Sequence, residues 1–543
     1  MVDGDPAAQE AARLRYELAR LQDRRTVRTA LALTSLRRHG RGTAWAALTG
    51  RLPRLDVPGP SRVPGRPPYP HLRVAHTGDG SLVAGAAAAE RLDPTGAEVV
   101  LDRDRPDLLL IDAIDGFDPD RLRSLATRVR EHGGAVVTAD PRARDAVDDA
   151  DLQVVRTDLH TMRTDVAGEE AGSSTPPGDD HLVVPGAVDV RAWSPVGLDD
   201  ATPAHRRNDA GALTLADARR QPVVAVPDVP AIGVRRCLEL LAAGAVVVAV
   251  DHPELRAALD GLDPTTRDEV LVPAGTLDAS VEALLADDDR RRRSSVRLRR
   301  HVQTSLSTRR VVQRIVTTLG IDRAPDERLS VLLASRRPDR VRPVLDALAA
   351  QRHADLEVLL LPHGDAPLDD GVADHPVLDR IERVDGSRPL GAVLNVGLDL
   401  ATGAYIAKID DDDRYGPDHL SDQLLALHAS GAQIVGRRVH AVYHEATDRT
   451  VLPPPGGEER FEDHLPGATM VLPADVLRAV RWRHVPRAVD TELVRAIHLD
   501  GGAAYTSHRY GFVRVRHTDH TAHGVGEDAG TSVPGSDPSL LEA

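Results

Sequence analysis

Short apolar runs alternate with amphipathic stretches of helical spacing along most of the chain. The apolar runs predict strands at 72–76, 107–112, 135–140, 152–158, 181–189, 222–228 and 245–250, and a second series of strands begins at 329–337. Between two of these strands, Leu122, Leu125 and Val129 recur on one helical face, and two glycines then end the pattern. Alternating strands and helices form parallel sheets that helices cover on both faces. The sequence therefore predicts the α/β fold class.

With 543 residues, the chain is too long for one hydrophobic core. We predict a helical segment and linker over 1–65, an α/β region with a connecting helix over 66–322, a second α/β domain over 323–523, and a disordered tail over 524–543. The linker is rich in proline and glycine, and the tail consists largely of Gly, Ser, Asp and Pro. The helical period over 291–320 predicts one long connecting helix.

The net charge of −15 argues against a nonspecific nucleic-acid binder, because neutralising phosphates requires clustered positive charge. The single cysteine, Cys237, allows neither an intrachain disulfide nor a cysteine-based zinc site. The amino terminus lacks the pattern of a signal peptide, and no apolar run reaches the roughly 20 residues that a membrane helix needs. We therefore expect a soluble cytoplasmic protein, for which peripheral association with a membrane stays open.

Four consecutive aspartates, Asp410–Asp413, directly follow the predicted strand at 404–409. Their mutual repulsion costs stability unless a cation or several backbone donors offset it. In open α/β sheets, ligands bind at the carboxyl ends of the strands. Hard oxygen ligands suit Mg²⁺ or Mn²⁺, which would also bridge the phosphates of a nucleotide. The alternative is a solvated acidic turn in which Asp413 or Asp418 caps the next helix.

The stretch LGAVLNVGLDLATGAYIAKIDDDDRYGPDHL at 390–420 resembles glycosyltransferase family 2. Members of that family show a Gly, an Asn-x-Gly, a helix, a Gly-x-Tyr-Ile and an Asp-x-Asp that is followed by x-x-Pro. The matching positions are Gly391, Asn395, Gly397, Gly403, Tyr405, Ile406, Asp410, Asp412 and Pro417. The resemblance implies the GT-A fold, in which Asn395 helps to bind the donor, Asp410 contacts the nucleotide ribose or the metal, and Asp412 is the main metal ligand. The implied cofactor is Mn²⁺ or Mg²⁺.

The opening strand of this domain resembles the same family. The segment LSVLLASRRPDRVRPVLDALAAQ at 329–351 is similar to its Val-Ser-Val-x-x-x-x-Arg start, which implies that Ser335 and Arg336 border the nucleotide. Where many members have Asp-Asp-Gly-Ser after the second strand, this chain has PHGD at 362–365. The aspartate that usually contacts the base is therefore missing or displaced to Asp365, and the sequence does not predict which nucleotide binds.

The segment RAVDTELVRAIHLDGG at 487–502 places Asp490 at the start of a predicted helix. Its position matches that of the family's catalytic base, which implies that Asp490 accepts the proton of the acceptor hydroxyl as that oxygen attacks the anomeric carbon. The metal would stabilise the leaving diphosphate, so that transfer is a single displacement with inversion. An aspartate at a helix start also commonly serves as a cap, and both roles can hold at once.

Three histidines, His517, His520 and His523, follow in the segment RYGFVRVRHTDHTAH at 509–523. Some family members supply a late histidine to the metal, and a spacing of three residues brings ligands together on a turn. Since 23 histidines are scattered through the chain, we favour a surface cluster over a metal site. Whether any of the three ligates the metal stays open.

The region 66–322 resembles the spore-maturation-protein (CgeB-like) glycosyltransferases, which have a GT-B architecture. VVPGAVDVRAWSP at 183–195 is similar to their Pro-x-Gly-x-Asp-x-x-x-Phe/Trp-x-Pro, and VRRCLELLAAGAVVVAV at 234–250 to their Arg-x-x-Glu-x-x-Ala-x-Gly-x-x-Val-Val. The resemblance implies a GT-B-like pair of Rossmann-like units, in which Glu239 meets the ribose of the donor and the Gly244 loop approaches its phosphates. The alternative is that Glu239 is an exposed helix residue and Gly244 only ends the helix.

Together the resemblances imply a glycosyltransferase of the hexosyltransferase type. It would pass a sugar from a nucleotide-sugar donor to a glycan, teichoic-acid-like or lipid-linked acceptor, in the synthesis of cell-wall polysaccharide. The amino-terminal half would either add another sugar or hold the growing polymer. The alternative is a non-catalytic glycan-binding or scaffold protein built from two decayed transferase folds. A nucleotidyltransferase of related fold is disfavoured, because the segment LLASRRPDR has no glycine in the loop after the first strand.

Overall fold

The computed structural model describes residues 69–543, apart from 78–86, 93–96, 98–99, 102–104, 116, 140–142, 144–146, 148–151, 157–180, 185–187, 191, 196–205, 208–209, 221, 322–326, 354, 455, 486–487 and 519–529. The predicted helical segment and linker over 1–65 lie outside the described residues. The described residues form three α/β units along the chain, so that the predicted α/β fold class is confirmed.

The first unit is a six-stranded parallel sheet in the order β2-β1-β3-β4-β5-β6. Its strands are β1 (Tyr69–His76), β2 (Ala87–Arg91), β3 (Leu108–Ile111), β4 (Ala135–Thr138), β5 (Leu152–Arg156) and β6 (His181–Val184). The helix α1 (Pro119–Glu131) begins after Asp118, whose carboxylate accepts from the Arg121 N–H, and it buries Leu122, Leu125 and Val129 against the sheet. The predicted strands and helix of this unit are thereby confirmed.

The second unit is a four-stranded parallel sheet in the order β10-β9-β8-β7. Its strands are β7 (Arg206–Arg207), β8 (Val223–Val226), β9 (Val246–Val250) and β10 (Leu271–Val272). Its helices are α2 (Leu215–Ala218), α3 (Val229–Ile232), α4 (Val234–Ala242), α5 (Pro253–Ala258), α6 (Pro264–Val270), α7 (Leu277–Ala286) and α8 (Asp288–His301). Strands β8 and β9 are almost wholly buried, because helices cover them on both sides.

The prediction of a single helix over 291–320 is wrong, because the helix is interrupted at Ser307. After α8, residues Val302–Leu306 form a π-helical turn, and Ser307 is extended and pairs with Val188. The Ser307 hydroxyl then caps a new helix, α9 (Thr308–Thr318), by accepting from the Arg310 N–H at 3.4 Å. Helix α9 packs against the first sheet, whereas α8 packs in the second unit.

The third unit contains two sheets. Its strands are β11 (Leu329–Ser335), β12 (Leu356–Pro362), β13 (Arg380–Ile381), β14 (Tyr405–Ile409), β15 (Arg414–Tyr415), β16 (Ile434–Gly436), β17 (Ala441–His444), β18 (Arg449–Leu452), β19 (Arg460–Phe461), β20 (Val471–Pro473), β21 (Ala504–Thr506), β22 (Phe512–Arg516) and β23 (Thr531–Pro534). The large sheet has eight strands in the order β13-β12-β11-β14-β20-β16-β21-β19. The small sheet has the order β15-β22-β17-β18-β23.

Five helices cover the large sheet on its two faces. They are α10 (Pro338–Ala349), α11 (Leu390–Leu400), α12 (His419–Ser430), α13 (Ala474–Val480) and α14 (Val489–Leu499). Helices α10 and α12 share one core with the sheet, and α11, α13 and α14 share the other. Helix α11 comes close to the strands because Gly397 has no side chain: a Cβ there would lie 2.7 Å from the Leu361 side chain.

The predicted disordered tail over 524–543 is wrong for residues 530–543. Strand β23 pairs with β18, and Ala543 is buried together with Val296 and Tyr510. Arg293 of α8 donates to the Ser539 carbonyl at 2.6 Å and also to the Glu542 carbonyl. Backbone pairing and these arginine contacts order a segment whose composition contains few apolar residues.

None of the helices in the described part of the chain combines the length and the apolar character needed to cross a membrane.

Candidate active site

Strand β14 places the acidic segment Asp410–Asp413 at the middle of the large sheet. The strand pairs in parallel with β11 and antiparallel with β20, and four of its five residues are buried. The four aspartates follow directly and lead into β15, which pairs with β22 of the small sheet. The segment therefore lies at the carboxyl ends of β11, β12 and β14, the edge at which parallel sheets bind ligands.

Each of the four carboxylates is bound by a protein group, and Arg337 binds two of them. The contacts are Lys408 Nζ to Asp410 at 2.7 Å, Ser335 Oγ and the Arg337 guanidinium to Asp411, Arg337 to Asp412 at 2.7 Å, and the Val515 N–H to Asp413 at 2.8 Å. Burial raises the pKa of Asp413 to about 7, and it also raises the pKa of Asp411. Burial alone would raise the pKa of Asp410 as well, but the Lys408 ammonium and two arginines more than offset it and lower that pKa.

Neither Asp413 nor Asp418 caps the helix that follows. Asp418 is the residue before α12, but its side chain makes no capping hydrogen bond. Instead its carboxylate pairs with Arg352 at 2.5 Å and with Arg300 at 2.9 Å. The alternative of a helix-capping acidic turn is therefore wrong for this segment.

Lys408 joins the acidic segment to Asp490. It is the only lysine in the sequence, and its side chain is 3% exposed. Its Nζ lies 2.7 Å from Asp410 Oδ1 and 3.6 Å from Asp490 Oδ1. Burial opposes a charged lysine, but the two carboxylates outweigh that cost and raise the pKa of Lys408. The buried ammonium therefore stays charged and keeps the two aspartates on the same side of the domain.

Asp490 lies in the first turn of α14, as the sequence predicts, but it does not cap the helix. The residue before the helix is Ala488, in the left-handed region at φ 58°, and no side chain makes a capping bond there. The Asp490 side chain is 28% exposed and lies against Gly467. Surrounding protein atoms raise the pKa of Asp490, although Lys408 opposes the shift. A carboxylate with a raised pKa is a better proton acceptor than an ordinary one.

A cavity of about 770 Å³ opens beside Lys408 and the acidic segment Asp410–Asp413, a volume that suits a small-molecule ligand. It is lined by Ala334, Ser335, Arg336, Arg337, His363, Pro389, Leu390, Leu394, Lys408, Ile409, Asp410, Asp411, Asp412, Asp413, Arg514, Val515 and Arg516. Pro389, Leu390 and Leu394 form an apolar wall, and Leu390, at 36%, is the one large hydrophobic residue that is exposed among those the structure describes. Most of the other lining residues are charged.

The structure brings Ser335 and Arg336 to this cavity, but not Asp365. The Arg336 guanidinium donates to His363 Nδ1 at 3.0 Å and to the Gly386 carbonyl at 2.8 Å. Asp365 is exposed and does not line the cavity, whereas His363 does. In the segment 362–365 this chain therefore presents His363 to the cavity, bound by Arg336.

Two other predicted donor-binding residues lie away from the cavity lining. The Asn395 amide donates to the Trp482 carbonyl at 2.8 Å and accepts from the Trp482 N–H at 3.1 Å, which ties α11 to the loop before α14. Glu239 belongs to α4 in the second unit, where it pairs with Arg235 at 3.2 Å and Arg236 at 3.1 Å. The cavity thus brings together Ser335, Arg336 and the 410–412 carboxylates, but neither Asn395 nor Glu239. Asp490 does not line the cavity and is linked to it through Lys408, whose Nζ lies 3.6 Å from Asp490 Oδ1.

Sequence reasoning did not identify Lys408, Arg337, Arg514 or Arg516 as site residues. A signal exists for one of them: Lys408 is a lone charge inside an otherwise apolar strand, and such a charge requires a partner. The three arginines carry no local signal, because 68 basic residues are spread over the sequence and arginine is common everywhere in it.

The chemistry of Asp410 and Asp412 fits a divalent cation. Both carboxylates line the cavity, and hard oxygen ligands suit Mn²⁺ or Mg²⁺. His517 Nε2 lies 3.1 Å from the Asp412 carbonyl oxygen and its Nδ1 lies 3.3 Å from Glu445, while His520 and His523 are outside the described residues. In the described ranges no cluster of three or more His, Cys, Asp or Glu forms a ready-made metal site. Further ligands would therefore come from bound nucleotide and water.

Three solved structures illustrate what the chain is similar to. S. aureus TarS is 14% identical, at a TM-score of 0.28 over 35% of this chain and 37% of that one. TarS 1–349 in complex with UDP-GlcNAc is 14% identical, at a TM-score of 0.29 over 37% of this chain and 63% of that one. Mannosyltransferase PcManGT from Pyrobaculum calidifontis, in complex with GDP-Man and Mn²⁺, is 17% identical, at a TM-score of 0.27 over 35% of this chain and 56% of that one. The chain thus spans between 37% and 63% of the length of these structures.

A search of curated proteins finds no match to the chain. A family model does match the part of the chain that contains β11, β14, the acidic segment and Gly467. Residues 331–472 of this chain match the model of glycosyl transferase family 2.

Proposed function

We propose that the domain over 323–523 transfers a sugar from a nucleotide-sugar donor to a glycan, teichoic-acid-like or lipid-linked acceptor. The observation that carries the proposal is the Lys408 bridge, which holds Asp410 and Asp490 at 2.7 Å and 3.6 Å from one ammonium beside the cavity. The family 2 match over residues 331–472 supports the same class of reaction.

In this proposal Asp490 is the base. Its partly exposed carboxylate accepts the proton of the acceptor hydroxyl while that oxygen forms a bond to the anomeric carbon. The bond from the anomeric carbon to the diphosphate breaks at the same time, and its electron pair leaves on the diphosphate oxygen. A single displacement of this kind inverts the anomeric centre. The Lys408 ammonium positions Asp490. Its positive charge also offsets the repulsion between the negative charges of Asp490 and Asp410.

Asp410 and Asp412 would hold Mn²⁺ or Mg²⁺. When bound, such an ion supplies positive charge that stabilises the leaving diphosphate. The protein's own part is to present two carboxylates at the end of β14, with Asp412 kept in place by Arg337 at 2.7 Å. Ser335 and Arg336, which also line the cavity, would border the nucleotide.

We further propose that the region 66–322 is a GT-B-like pair of Rossmann-like units, in which Glu239 meets a donor ribose. Two separate parallel sheets, each with its own core, support this assignment. This half would add a second sugar or hold the growing polymer. The sugar that the domain over 323–523 transfers would be a hexose for cell-wall polysaccharide. We propose that the reaction takes place in the cytoplasm, where the one cysteine, the buried Cys237, stays reduced.

The proposal is tested by measuring nucleoside-diphosphate release from a panel of UDP- and GDP-sugars with Mn²⁺ and candidate acceptors. We expect Asp490→Asn to lower kcat by about 10²-fold or more while the donor KM changes little, because the base contacts the acceptor. We expect Asp412→Asn to raise the Mn²⁺ concentration needed for half-maximal rate.

A matched control is Asp500→Asn, which changes an exposed aspartate at the other end of α14 and should leave kcat unchanged. Unchanged turnover in Asp490→Asn would exclude the base role. A wild-type protein that binds nucleotides but turns over none of the donors would favour the alternative, a non-catalytic glycan-binding or scaffold protein.

A further inference from the structure

Strand β22 lies directly beside the acidic segment. It pairs antiparallel with β15, where Arg414 is opposite Val513, and the Val515 N–H donates to Asp413 at 2.8 Å. Side chains of a strand alternate between its two faces, so Arg514 and Arg516 point to the same side. Both arginines line the cavity that also contains the four aspartates. Two guanidinium groups are therefore held next to the proposed metal-binding carboxylates by backbone pairing.

The charge of the cavity lining is positive even though the whole chain carries −15. Five cationic side chains, those of Arg336, Arg337, Lys408, Arg514 and Arg516, face four aspartates in the lining. A divalent cation at Asp410 and Asp412 would make the cavity more positive still. Such a lining favours an anionic ligand over a neutral one.

Three of the five cations contact other residues around the cavity as follows. Lys408 is bound by Asp410, Arg337 by Asp411 and Asp412, and Arg336 by His363 and the Gly386 carbonyl. These three support the architecture of the site. Arg514 and Arg516 line the cavity from β22, and Val515, which lies between them, donates its N–H to Asp413 at 2.8 Å.

We propose that Arg514 and Arg516 bind the diphosphate of the donor. This inference rests on the proposed function and adds to it the residues that recognise the phosphates. A guanidinium is a planar fork of donors that pairs with two phosphate oxygens at once, which a lysine cannot do. When the bond between the anomeric carbon and the diphosphate breaks, the electron pair stays on the diphosphate oxygen. The two arginines then stabilise the negative charge that appears there.

The test is the binding of UDP, GDP, uridine, guanosine and inorganic pyrophosphate to the full chain with Mn²⁺, measured by titration calorimetry. We expect Arg514→Gln and Arg516→Gln each to weaken the preferred nucleoside diphosphate by about tenfold or more, because each removes a charge-assisted contact. Pyrophosphate should weaken in parallel, whereas binding of the matching nucleoside should stay unchanged. Arg514→Lys and Arg516→Lys should recover part of the loss, because they keep the charge but not the fork.

Arg460→Gln is the matched control, since Arg460 is exposed on β19, pairs with Glu462 and does not line the cavity. Nucleoside-diphosphate affinity that is unchanged in both glutamine variants would overturn the inference, and so would an equal loss for diphosphate and nucleoside. A wild-type protein that binds none of the five probes would overturn it together with the proposed function. Arginine-dependent diphosphate binding without any sugar transfer would overturn the proposed function alone.

Discussion

At residue 467, the absence of a side chain determines where Asp490 can lie. A Cβ built on Gly467 would be 1.9 Å from Asp490 Oδ2, which is far inside van der Waals contact. Gly467 begins the short 3₁₀ turn Gly467–Thr469 that leads into β20. The Asp490 carboxylate can approach Lys408 only because this turn leaves room for it.

We predict that Gly467→Ala displaces Asp490 and lowers kcat by about 10–100-fold, because a shift of about 1 Å in a reacting group costs that much. The added methyl group should also destabilise the fold by about 1–3 kcal/mol. Gly275→Ala is the matched control, since nothing lies within 4 Å of a Cβ there. Steady-state kinetics with thermal unfolding of both variants checks the prediction, and full activity in Gly467→Ala would contradict it.

Among the secondary-structure elements, helix α8 contacts acidic residues of the third unit through two arginines near its end, Arg299 and Arg300. Arg299 pairs with Glu459, and Arg300 reaches Asp422 at 2.7 Å. Arg299 and Glu459 are both nearly inaccessible to solvent. The second oxygen of Glu459 accepts from the Tyr505 hydroxyl at 2.7 Å. A buried ion pair is costly to break, because the remaining partner is left as an uncompensated charge.

We predict that Arg299→Met lowers the free energy of unfolding by about 3–5 kcal/mol, because Glu459 then stays buried without its cation. Adding Glu459→Gln should recover much of this loss, because a neutral amide needs no counter-charge. Arg123→Met removes the exposed pair with Asp120 on α1 and should change stability little. Denaturant unfolding of the four proteins checks the prediction. A double variant no more stable than Arg299→Met would contradict the argument.

Across the whole molecule, the contact between α8 and the third unit is centred on Asp422. Its carboxylate contacts Arg300, Arg437 at 3.5 Å and His508 Nε2 at 3.0 Å. Burial, together with Arg437, lowers the pKa of His508 to about 3, and burial lowers the pKa of His419 well below its usual value. The folded protein therefore keeps both histidines neutral, so that each is a source of acid sensitivity.

We predict that stability falls as pH drops below about 6.5, where an unfolded histidine gains a proton. The folded chain does not protonate His508 until about pH 3, so the unfolded state binds more protons throughout this window. Each such histidine should contribute a slope of about 1.4 kcal/mol per pH unit. The contribution of His508 to the free energy of unfolding is thus fully present above about pH 6.5 and is lost progressively as the pH falls toward about 3.

His508→Gln should remove one such contribution, which urea unfolding at about pH 7 and about pH 5 will measure. His132→Gln, which changes an exposed histidine after α1, is the control and should keep the wild-type slope. A slope in His508→Gln that equals the wild-type slope would contradict the assignment.

Local patterns in the sequence determined most of the elements and the central motif. The apolar runs predicted β8, β9, β11 and β14, and helical spacing predicted α10 and α14, because these signals depend only on neighbouring residues. The acidic run after β14 and Asp490 in the first turn of α14 were predicted for the same reason.

Only the tertiary structure decided which of these residues meet. Lys408 touches Asp490, and β22 brings Arg514 and Arg516 beside the aspartates, through contacts between residues that are far apart in the sequence. The break at Ser307 depends on pairing with Val188, and the order of residues 530–543 depends on pairing with β18. Composition and periodicity depend only on the residues within a segment. These features instead depend on the free energy of contacts with residues that are distant in the sequence, which a local pattern does not contain.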